Sequence, residues 1–404
     1  GVPWHDGSGI YGSSEEVNRV LRSFSGGKLR MGEDNMLPFN DRPDVIQMIG
    51  HGPQSELYLA GDERANSNVF LLAFHTLMAR EHNRICSVLS QQYPDWDDEK
   101  LFNVARLTVV LEFRQIASEY VASYGLDVVQ LVDEMIEADP FALAYNADNK
   151  PRRMSEEFSM IYRWHSLIPE NAAVADDCNR VVSETPLSHL HYNTTFLKEQ
   201  GLGRVLAGMA STPIPTFGAG IIDALRNHRF SGLADPRHGN GFDMAAWEIV
   251  RSRERGIPRV NEYRRDSGLK PFTSFEEMSA DPEIVTKLRS LYESPEDVEW
   301  IVYLEIDEAR YRDTAIPTSA IPVLLDIVKI LISDRFSLSL ANQDTGAATN
   351  DLPVAELERI RNLKLSDVIR LNTDQKCLQP NVFRLPEDIE NRGFNMADCQ
   401  AQCT

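Results

Sequence analysis

The 404-residue chain lacks an apolar run long enough to cross a bilayer, which takes about 20 residues. Its longest apolar stretch, IPVLLDIVKILI at residues 321–332, is interrupted by Asp326 and Lys329 and is typical of a core helix. Basic residues are also scarce, because 41 Lys and Arg stand against 61 Asp and Glu and leave a formal net charge of -20. No basic run offsets that charge, so we expect neither a transmembrane segment nor a nucleic-acid partner.

Cysteine is sparse, and its spacing does not suggest a metal site. The five cysteines include no Cys-x-x-Cys pair, and Cys399 and Cys403 lie close to the C-terminal end. An odd number leaves at least one thiol unpaired within the chain. Asn193 begins a glycosylation sequon, Asn-Thr-Thr, although such triplets also arise by chance. We expect a secreted or extracytoplasmic protein, and peripheral contact with a membrane is compatible with that location.

Strand-like alternation, internal repeats and flexible linkers are equally scarce, whereas apolar residues recur at helical spacings of three and four. Pro169 ends one of these helical patterns. The patterns predict helices over residues 70–89, 101–121, 155–167, 243–255 and 318–332. Together they predict one large, mainly α-helical domain over residues 1–385, followed by a C-terminal tail over residues 386–404.

The stretch EEFSMIYRWHSLIPE places Tyr162 and His165 three residues apart. On a helix this spacing puts both side chains on one face and turns Trp164 away into packing. A neutral imidazole on a helix is what an axial haem ligand requires, with its second nitrogen donating to an outer partner. A core histidine satisfied by a backbone carbonyl explains His165 as well, and the spacing alone leaves both interpretations open.

The stretch YLAGDERANSN contains Arg64 two residues after Asp62. One interpretation is a surface residue paired with that aspartate. The other is a fixed positive charge that projects into a pocket and favours a peroxide anion or polarises its O–O bond.

The opening stretch VPWHDGSGIYGSS offers oxygen ligands of the kind that calcium prefers. These are the side chains of Asp6 and Ser8 and the carbonyls of Val2 and Trp4. Calcium takes roughly six to eight oxygens, so this loop supplies about half of a site. An ordinary Asp-Gly turn explains the same residues.

Taken in order, these stretches resemble the animal-type haem peroxidases, a superfamily that includes myeloperoxidase-like enzymes, cyclooxygenases, linoleate diol synthases and fatty-acid α-dioxygenases. The motifs REHNR, YRWH and RSRERGIPRVNEYRR carry the resemblance, and their order and spacing cover most of residues 1–340. The α-dioxygenase and linoleate diol synthase branch is the most similar. The resemblance implies a largely helical fold with haem b buried near its centre.

The resemblance also implies roles for single residues. His165 falls at the position of the proximal haem ligand, and Glu248 lies near that of its outer partner, where peroxidases carry asparagine. Tyr162 matches the tyrosine that the oxygenase branch oxidises to a radical. Arg64 matches the distal-side arginine of the peroxidase branch.

The remaining positions concern calcium, the substrate and the bond to haem. Asp6 and Ser8, with the carbonyls of Val2 and Trp4, match the family's calcium loop. Ser67 stands where myeloperoxidase-like enzymes have a glutamate esterified to the haem, so we expect non-covalent haem and no halide oxidation as the main task.

Two positions bear on the substrate. Leu324 falls at the aspirin-sensitive serine of cyclooxygenases, so a prostaglandin channel is not indicated. Arg335, in the motif SDRF, could pair with a substrate carboxylate, although pairing with Asp334 explains it too.

In the family the distal histidine and the aspartate beside it belong to a helix upstream of the calcium loop. The four other histidines considered, His5, His51, His75 and His82, lie in the wrong context and are interpreted as structural. We therefore expect a second polypeptide, or a segment not included in this chain, to supply the distal histidine and the last calcium ligand.

The function that the resemblance implies is a haem-dependent fatty-acid dioxygenase. A radical on Tyr162 would take a hydrogen atom from a fatty acid before O2 adds. One alternative is a haem peroxidase that oxidises small phenols or pseudohalides with H2O2. Another is a non-catalytic peroxidase-like domain that serves binding or assembly.

Overall fold

The structure is a computed structural model. It describes residues 6–127, 130–131, 134, 154–162, 164–227, 242–322, 324–327, 352, 354–388 and 391–403.

The fold is mainly helical, as the sequence predicts. The described α-helices are α1 (Ser8–Tyr11), α2 (Glu15–Leu21), α3 (Val69–Gln92), α4 (Asp98–Ala122), α5 (Glu156–Ile161), α6 (Thr195–Gln200), α7 (Leu202–Ser211), α8 (Asp223–Arg226), α9 (Met244–Glu254), α10 (Val260–Asp266), α11 (Pro282–Leu291), α12 (Trp300–Ile306), α13 (Val354–Asn362), α14 (Leu365–Asn372) and α15 (Met396–Gln402). Strands β1 (Asn171–Ala175) and β2 (Val181–Pro186) form an antiparallel hairpin. Within the described residues no helix is both long and apolar enough to cross a membrane.

Two long helices, α3 and α4, pack against each other and form the centre of the fold. Their starts are set by capping side chains, because Asn68 accepts from the Leu71 amide and Asp97 accepts from the Lys100 amide, at 2.9 Å and 2.8 Å. The predicted helices over residues 70–89, 101–121 and 243–255 are thereby confirmed. The pattern over residues 318–332 begins with a 3-10 turn, Thr318–Ala320, and residues 321–322 and 324–327 are helical as predicted. Residues 323 and 328–332 lie outside the described residues.

The β-hairpin packs on α7 at a point where only glycine fits. A Cβ atom added at Gly208 would lie 2.0 Å from the Ala173 carbonyl oxygen. The missing side chain therefore lets the helix backbone approach the strand directly. This contact joins the hairpin, which follows the His165 segment, to the main apolar core.

His82, on α3, is a buried structural residue, as predicted. Its ring lies 2.9 Å from both the Tyr11 hydroxyl and the Gly27 carbonyl. Because a carbonyl only accepts, Nε2 donates to Gly27 and Nδ1 accepts from Tyr11. Burial lowers the pKa of His82 to about 4.

This pKa predicts a loss of stability in mild acid. The unfolded chain binds a proton at His82 near the ordinary pKa of 6.5, whereas the folded protein does so only near about 4, so protonation favours unfolding between these values. We expect the His82 contribution to lower the free energy of unfolding by about 3 kcal/mol as pH falls from 6.5 to 4. Denaturant unfolding across this range measures the effect.

The matched variants are His82→Gln, whose amide can still serve Tyr11 and Gly27, and His189→Gln at an exposed position. The first should be less stable at neutral pH but lose less stability on acidification. The His189→Gln variant should lose as much stability on acidification as the unmodified protein does. An unchanged acid slope in His82→Gln would contradict the assignment.

The C-terminal segment is joined to the domain by two disulfides, Cys178–Cys403 and Cys377–Cys399. Residues that the sequence placed in a tail therefore include a helix, α15, that is bound to the hairpin region. Cys86 is free and buried, which confirms that one thiol remains unpaired.

Cys403→Ser should destabilise the protein more than Cys399→Ser. The first bond joins residues 225 apart and the second joins residues 22 apart. Loop-closure entropy predicts a cost of about 5 kcal/mol for the longer loop and about 3 kcal/mol for the shorter one. Guanidinium unfolding of both variants measures the difference, and an equal loss of stability in the two variants would contradict the prediction.

Candidate active site

The helix that carries Tyr162 ends before His165, so the predicted single helix over residues 155–167 is wrong in its second half. Helix α5 ends at Ile161, and a separate 3-10 turn covers His165–Leu167. Between them Trp164 has φ -75° and ψ 75°, outside the helical region. The three-residue spacing therefore does not by itself put Tyr162 and His165 on one face.

Local hydrogen bonds explain the break. The Tyr162 amide still donates to the Phe158 carbonyl at 3.2 Å, as in a helix. The Trp164 amide instead donates to the Tyr162 carbonyl, also at 3.2 Å, and closes a tighter turn. As predicted, Trp164 turns into packing, with its ring edge-on to Phe217 at a centroid distance of 5.2 Å.

The redirected chain brings His165 to Glu248 on α9. Helix α9 begins at an N-cap formed by Asp243, which accepts from the Ala246 amide at 3.0 Å. His165 Nδ1 lies 3.2 Å from Glu248 Oε2, and the two side chains are 17% and 4% exposed. The distance is that of a hydrogen bond, but Nδ1 makes no well-aligned bond. The structure thus places the two residues side by side, and their roles toward haem remain predictions.

A second carboxyl group, Glu305 on α12, was missed from the sequence. Burial raises its pKa to about 7, and Glu248 adds to the rise, while the Ser166 hydroxyl and a charge on His165 act against it. The only sequence signal is one acidic residue within the apolar helix WIVYLEI. Two carboxyl groups thus act on one imidazole, and α9 and α12 supply them.

Tyr162 is 41% exposed, and its ring stacks on Phe158. The centroids are 5.0 Å apart and the planes differ by 7°. The pKa of Arg64 is raised chiefly by its hydrogen bonds to Asp62, and a negative charge on Tyr162, 98 positions away in the sequence, would add to the rise.

Arg64 forms a surface ion pair with Asp62, which is one of the two interpretations that the sequence left open. Its Nε and Nη2 donate to the two carboxylate oxygens of Asp62 at 2.9 Å and 2.6 Å. This bidentate ion pair raises the pKa of Arg64 and lowers the pKa of Asp62. The guanidinium is 63% exposed, so it keeps access to solvent-borne ligands. Its catalytic role remains a prediction.

The predicted calcium loop is described only in part. The Ser8 amide donates to Asp6 Oδ1 at 2.9 Å, whereas Val2 and Trp4 lie outside the described residues. Arg335 also lies outside them. In the described part of the chain, no three His, Cys, Asp or Glu side chains are grouped closely enough to hold a metal.

Two further positions that the resemblance singled out are both buried. Ser67, predicted to stand at the position of the ester-forming glutamate, is 1% exposed and ends the 3-10 turn Ala65–Ser67. Leu324 is 4% exposed and packs in the cluster that contains Trp300.

The described residues thus combine a mainly helical fold with a histidine, His165, that lies beside the buried carboxylate of Glu248. The chain belongs to the animal haem peroxidase family, whose pattern matches residues 2–383.

Its sequence relatives include both peroxidases and dioxygenases. It is 28% identical to peroxinectin A of Dictyostelium discoideum over 390 residues, which cover 94% of this chain and 68% of that protein. It is 29% identical to alpha-dioxygenase 2 of Arabidopsis thaliana over 386 residues, which cover 85% of this chain and 58% of that protein. Mouse prostaglandin G/H synthase 2 is 29% identical, with 74% of this chain and 46% of that protein covered.

Solved structures show the same fold. Peroxidase A from Dictyostelium discoideum matches with a TM-score of 0.77 and 25% identity, over 94% of this chain and 71% of that one. Fatty acid alpha-dioxygenase from Oryza sativa matches with a TM-score of 0.76 and 22% identity, over 96% of this chain and 66% of that one. None of these comparisons supports the second polypeptide that the sequence led us to expect.

The family implies haem, and the residues present fit it. A haem-binding histidine needs one ring nitrogen for iron and a partner for the other. Here the Glu248 carboxylate faces Nδ1, which leaves Nε2 for the metal. Because Glu248 is almost fully buried, it can keep the imidazole electron-rich without competition from water.

Proposed function

We propose that the protein is a fatty-acid dioxygenase that holds haem b non-covalently through His165. The observation that carries the proposal is the placement of Tyr162, a partly exposed phenol that stacks on Phe158 and lies three residues before His165. The relatedness to an alpha-dioxygenase supports the same function. The carboxylate of Glu248 supports the assignment of His165 as the iron ligand.

When bound, the haem supplies the oxidising power that peroxide delivers. Tyr162 loses one electron and its phenolic proton and becomes a phenoxyl radical. The phenoxyl oxygen then takes a hydrogen atom from a C–H bond of the fatty acid, which restores the phenol and leaves a carbon radical. O2 adds to this radical, and the resulting peroxyl radical takes a hydrogen atom from Tyr162, which gives a fatty-acid hydroperoxide and regenerates the phenoxyl radical. Phe158 holds the ring in place by stacking, and Arg64 provides a positive charge for the peroxide anion.

A cavity of about 450 Å3 is bounded by Leu167, two residues after His165, and suits an acyl chain. This volume lies within the usual range of ligand pockets, about 300–1,000 Å3. Apolar side chains of Met209, Ile214 and Phe217 line it. Arg310 and Arg384 also line it, together with one acid, Asp388, so the net charge of the lining favours a carboxylate.

Arg384→Gln should weaken use of the fatty acid without weakening phenol oxidation. Removing one guanidinium that faces a carboxylate should raise KM for the fatty acid about tenfold, whereas phenols carry no such group. Steady-state oxygen uptake measures KM. The control is Arg392→Gln, an exposed residue of the same segment that does not line the cavity. Equal effects of the two variants would contradict the assignment.

A peroxidase of small phenols is the second candidate. The similarity to a Dictyostelium peroxidase supports it, and so does the exposure of Arg64. In that case Tyr162 is a bystander, and electrons come from a small donor rather than from a fatty acid.

Oxygen uptake by the haem-loaded protein distinguishes these functions. A dioxygenase consumes O2 when palmitate or linoleate is added with a trace of peroxide. A peroxidase oxidises guaiacol in proportion to the peroxide supplied and shows no uptake that depends on fatty acid. Absence of that uptake over a panel of saturated and unsaturated acids would overturn the dioxygenase proposal.

The two disulfides support the proposal that the protein works in an oxidising compartment, since such bonds persist mainly there. We also propose that calcium binds the loop at Asp6 and Ser8. A rise in melting temperature on adding calcium, lost in Asp6→Asn, is the expected sign.

A further inference from the structure

Glu299, the residue before α12, is a buried carboxylate that lies outside the candidate active site. Its backbone forms the N-cap of α12, but its side chain makes no capping hydrogen bond to that helix. Glutamate is not a preferred N-cap residue, and a buried carboxylate needs donors from somewhere. Other parts of the fold therefore supply the donors for this side chain.

The carboxylate joins α9 to the start of α12. Arg253, in the last turn of α9, donates through Nε to Glu299 Oε1 at 2.6 Å, and its Nη2 lies 2.6 Å from the same oxygen. The hydroxyl of Tyr292, which follows α11, donates to Oε2 at 2.5 Å. The hydrogen bond to Glu299 is the main reason that the pKa of Arg253 is raised. Both oxygens thus have a donor, and the charged bond is of a strong type.

A second ion pair ties the same end of α9 to α5, but it is more exposed. Arg255 Nη1 lies 3.3 Å from Glu156 Oε1, and the two side chains are 52% and 54% exposed. The side chain of Glu299 is only 9% exposed. Water and salt weaken an exposed pair more than a pair with a buried carboxylate. Glu299 is therefore the stronger anchor for this end of α9.

Helix α9 also carries Glu248, the buried carboxylate beside His165. Glu248 precedes Arg253 by five residues, which is about 7.5 Å along a helix axis, so one short helical segment holds both. His165 Nδ1 lies 3.2 Å from Glu248 Oε2, at the outer end of the range for a hydrogen bond. A shift of α9 by about 0.3 Å away from His165 would take the pair out of that range.

We propose that Glu299 is a positioning residue, which holds α9 where Glu248 meets His165. The proposal rests on the proposed function, because it takes His165 as the iron ligand and Glu248 as its outer partner. It adds a residue outside the site on which the electron density of the imidazole depends.

Resonance Raman spectroscopy of the haem-loaded, reduced protein tests this role through the iron–histidine stretching frequency. A carboxylate against Nδ1 makes the imidazole a stronger ligand, so loss of its charge in Glu248→Gln should lower the frequency. Glu299→Gln keeps an acceptor for Tyr292 but removes the charge that binds Arg253. It should lower the frequency in the same direction by a smaller amount. Haem affinity should fall about threefold in Glu299→Gln and about tenfold in Glu248→Gln.

The double variant separates positioning from an independent effect. If Glu299 acts through Glu248, the protein with both changes should match Glu248→Gln alone in haem affinity and in frequency. Additive effects of the two changes would overturn the proposal. A lower melting temperature in Glu299→Gln with an unchanged frequency would overturn it too, because Glu299 would then serve only the stability of the fold.

Glu296→Gln and Glu156→Gln are the matched controls. Glu296 pairs with Arg265 on α10 at 2.7 Å, and Glu156 forms the exposed pair with Arg255. Both variants should keep the haem affinity and the frequency of the unmodified protein. A shift in these controls as large as that in Glu299→Gln would contradict a specific role for Glu299.

Arg253 supplies a conservative rescue. Arg253→Lys keeps the positive charge and a donor for Glu299, so its frequency should lie closer to that of the unmodified protein than the frequency of Arg253→Gln does. The outcomes also separate this proposal from the proposed function. A shift in Glu248→Gln without one in Glu299→Gln overturns only the role of Glu299, whereas an unchanged frequency in Glu248→Gln contradicts the proposed iron ligation itself.

Discussion

Replacing His165 with leucine is expected to abolish haem binding. Leucine is of similar size but offers no nitrogen to iron, and it leaves Glu248 facing an apolar group instead of the imidazole 3.2 Å away. We expect haem affinity to fall by more than about 100-fold, beyond the loss typical of removing an outer partner. Titration of the haem-free chain with haem, followed by the Soret absorbance, measures the affinity.

Two further variants make this result specific. Glu248→Gln keeps a hydrogen-bond acceptor beside Nδ1 but removes the negative charge, so we expect a loss of about 10-fold rather than complete loss. His189→Leu replaces an exposed histidine and should bind haem normally. Retention of a normal Soret band in His165→Leu would show that another residue is the iron ligand.

The second large effect is expected from Tyr162→Phe. Phenylalanine keeps the ring that stacks on Phe158, so α5 should end as before. It lacks the hydroxyl whose hydrogen is lost and regained, so fatty-acid-dependent oxygen uptake should fall by at least about 100-fold. Guaiacol oxidation with peroxide should change by less than about twofold, because that reaction does not require the phenol.

The control for this variant is Tyr311→Phe, which removes a hydroxyl from a tyrosine that does not line the fatty-acid cavity. It should retain both activities. If oxygen uptake survives Tyr162→Phe undiminished, hydrogen abstraction by Tyr162 is wrong, and if phenol oxidation is lost as well, Tyr162 serves haem binding instead.

The helices could be predicted from the sequence where periodicity and caps agreed. Along α3 and α4, apolar residues recur at helical spacing and Asn68 and Asp97 supply the first acceptors. Over residues 155–167 the same reasoning failed, because local propensity does not reveal the tighter turn at Trp164. At that turn the Trp164 ring packs against Phe217, which lies more than 50 positions away in the sequence.

The partners of the candidate site were predictable only through motifs. Glu248 was identified from its place before RSRERG, and the structure brings it to His165 across 83 positions of sequence. Glu305 has no motif, and only the packing of α12 against α9 shows that it acts on the same imidazole. The disulfides were equally invisible, since five cysteines without a characteristic spacing allow many pairings.

The sequence by itself determined the helical class, the family and the identities of the candidate ligand and radical residues, because these depend on residue type, periodicity and short motifs. Tertiary structure alone decided that His165 meets Glu248, that Trp164 packs on Phe217, and that Cys178 and Cys377 hold the C-terminal helix. The physical reason is that burial, electrostatic coupling and cavities arise between residues far apart in the chain. Their distances depend on how whole helices pack, which no local pattern encodes.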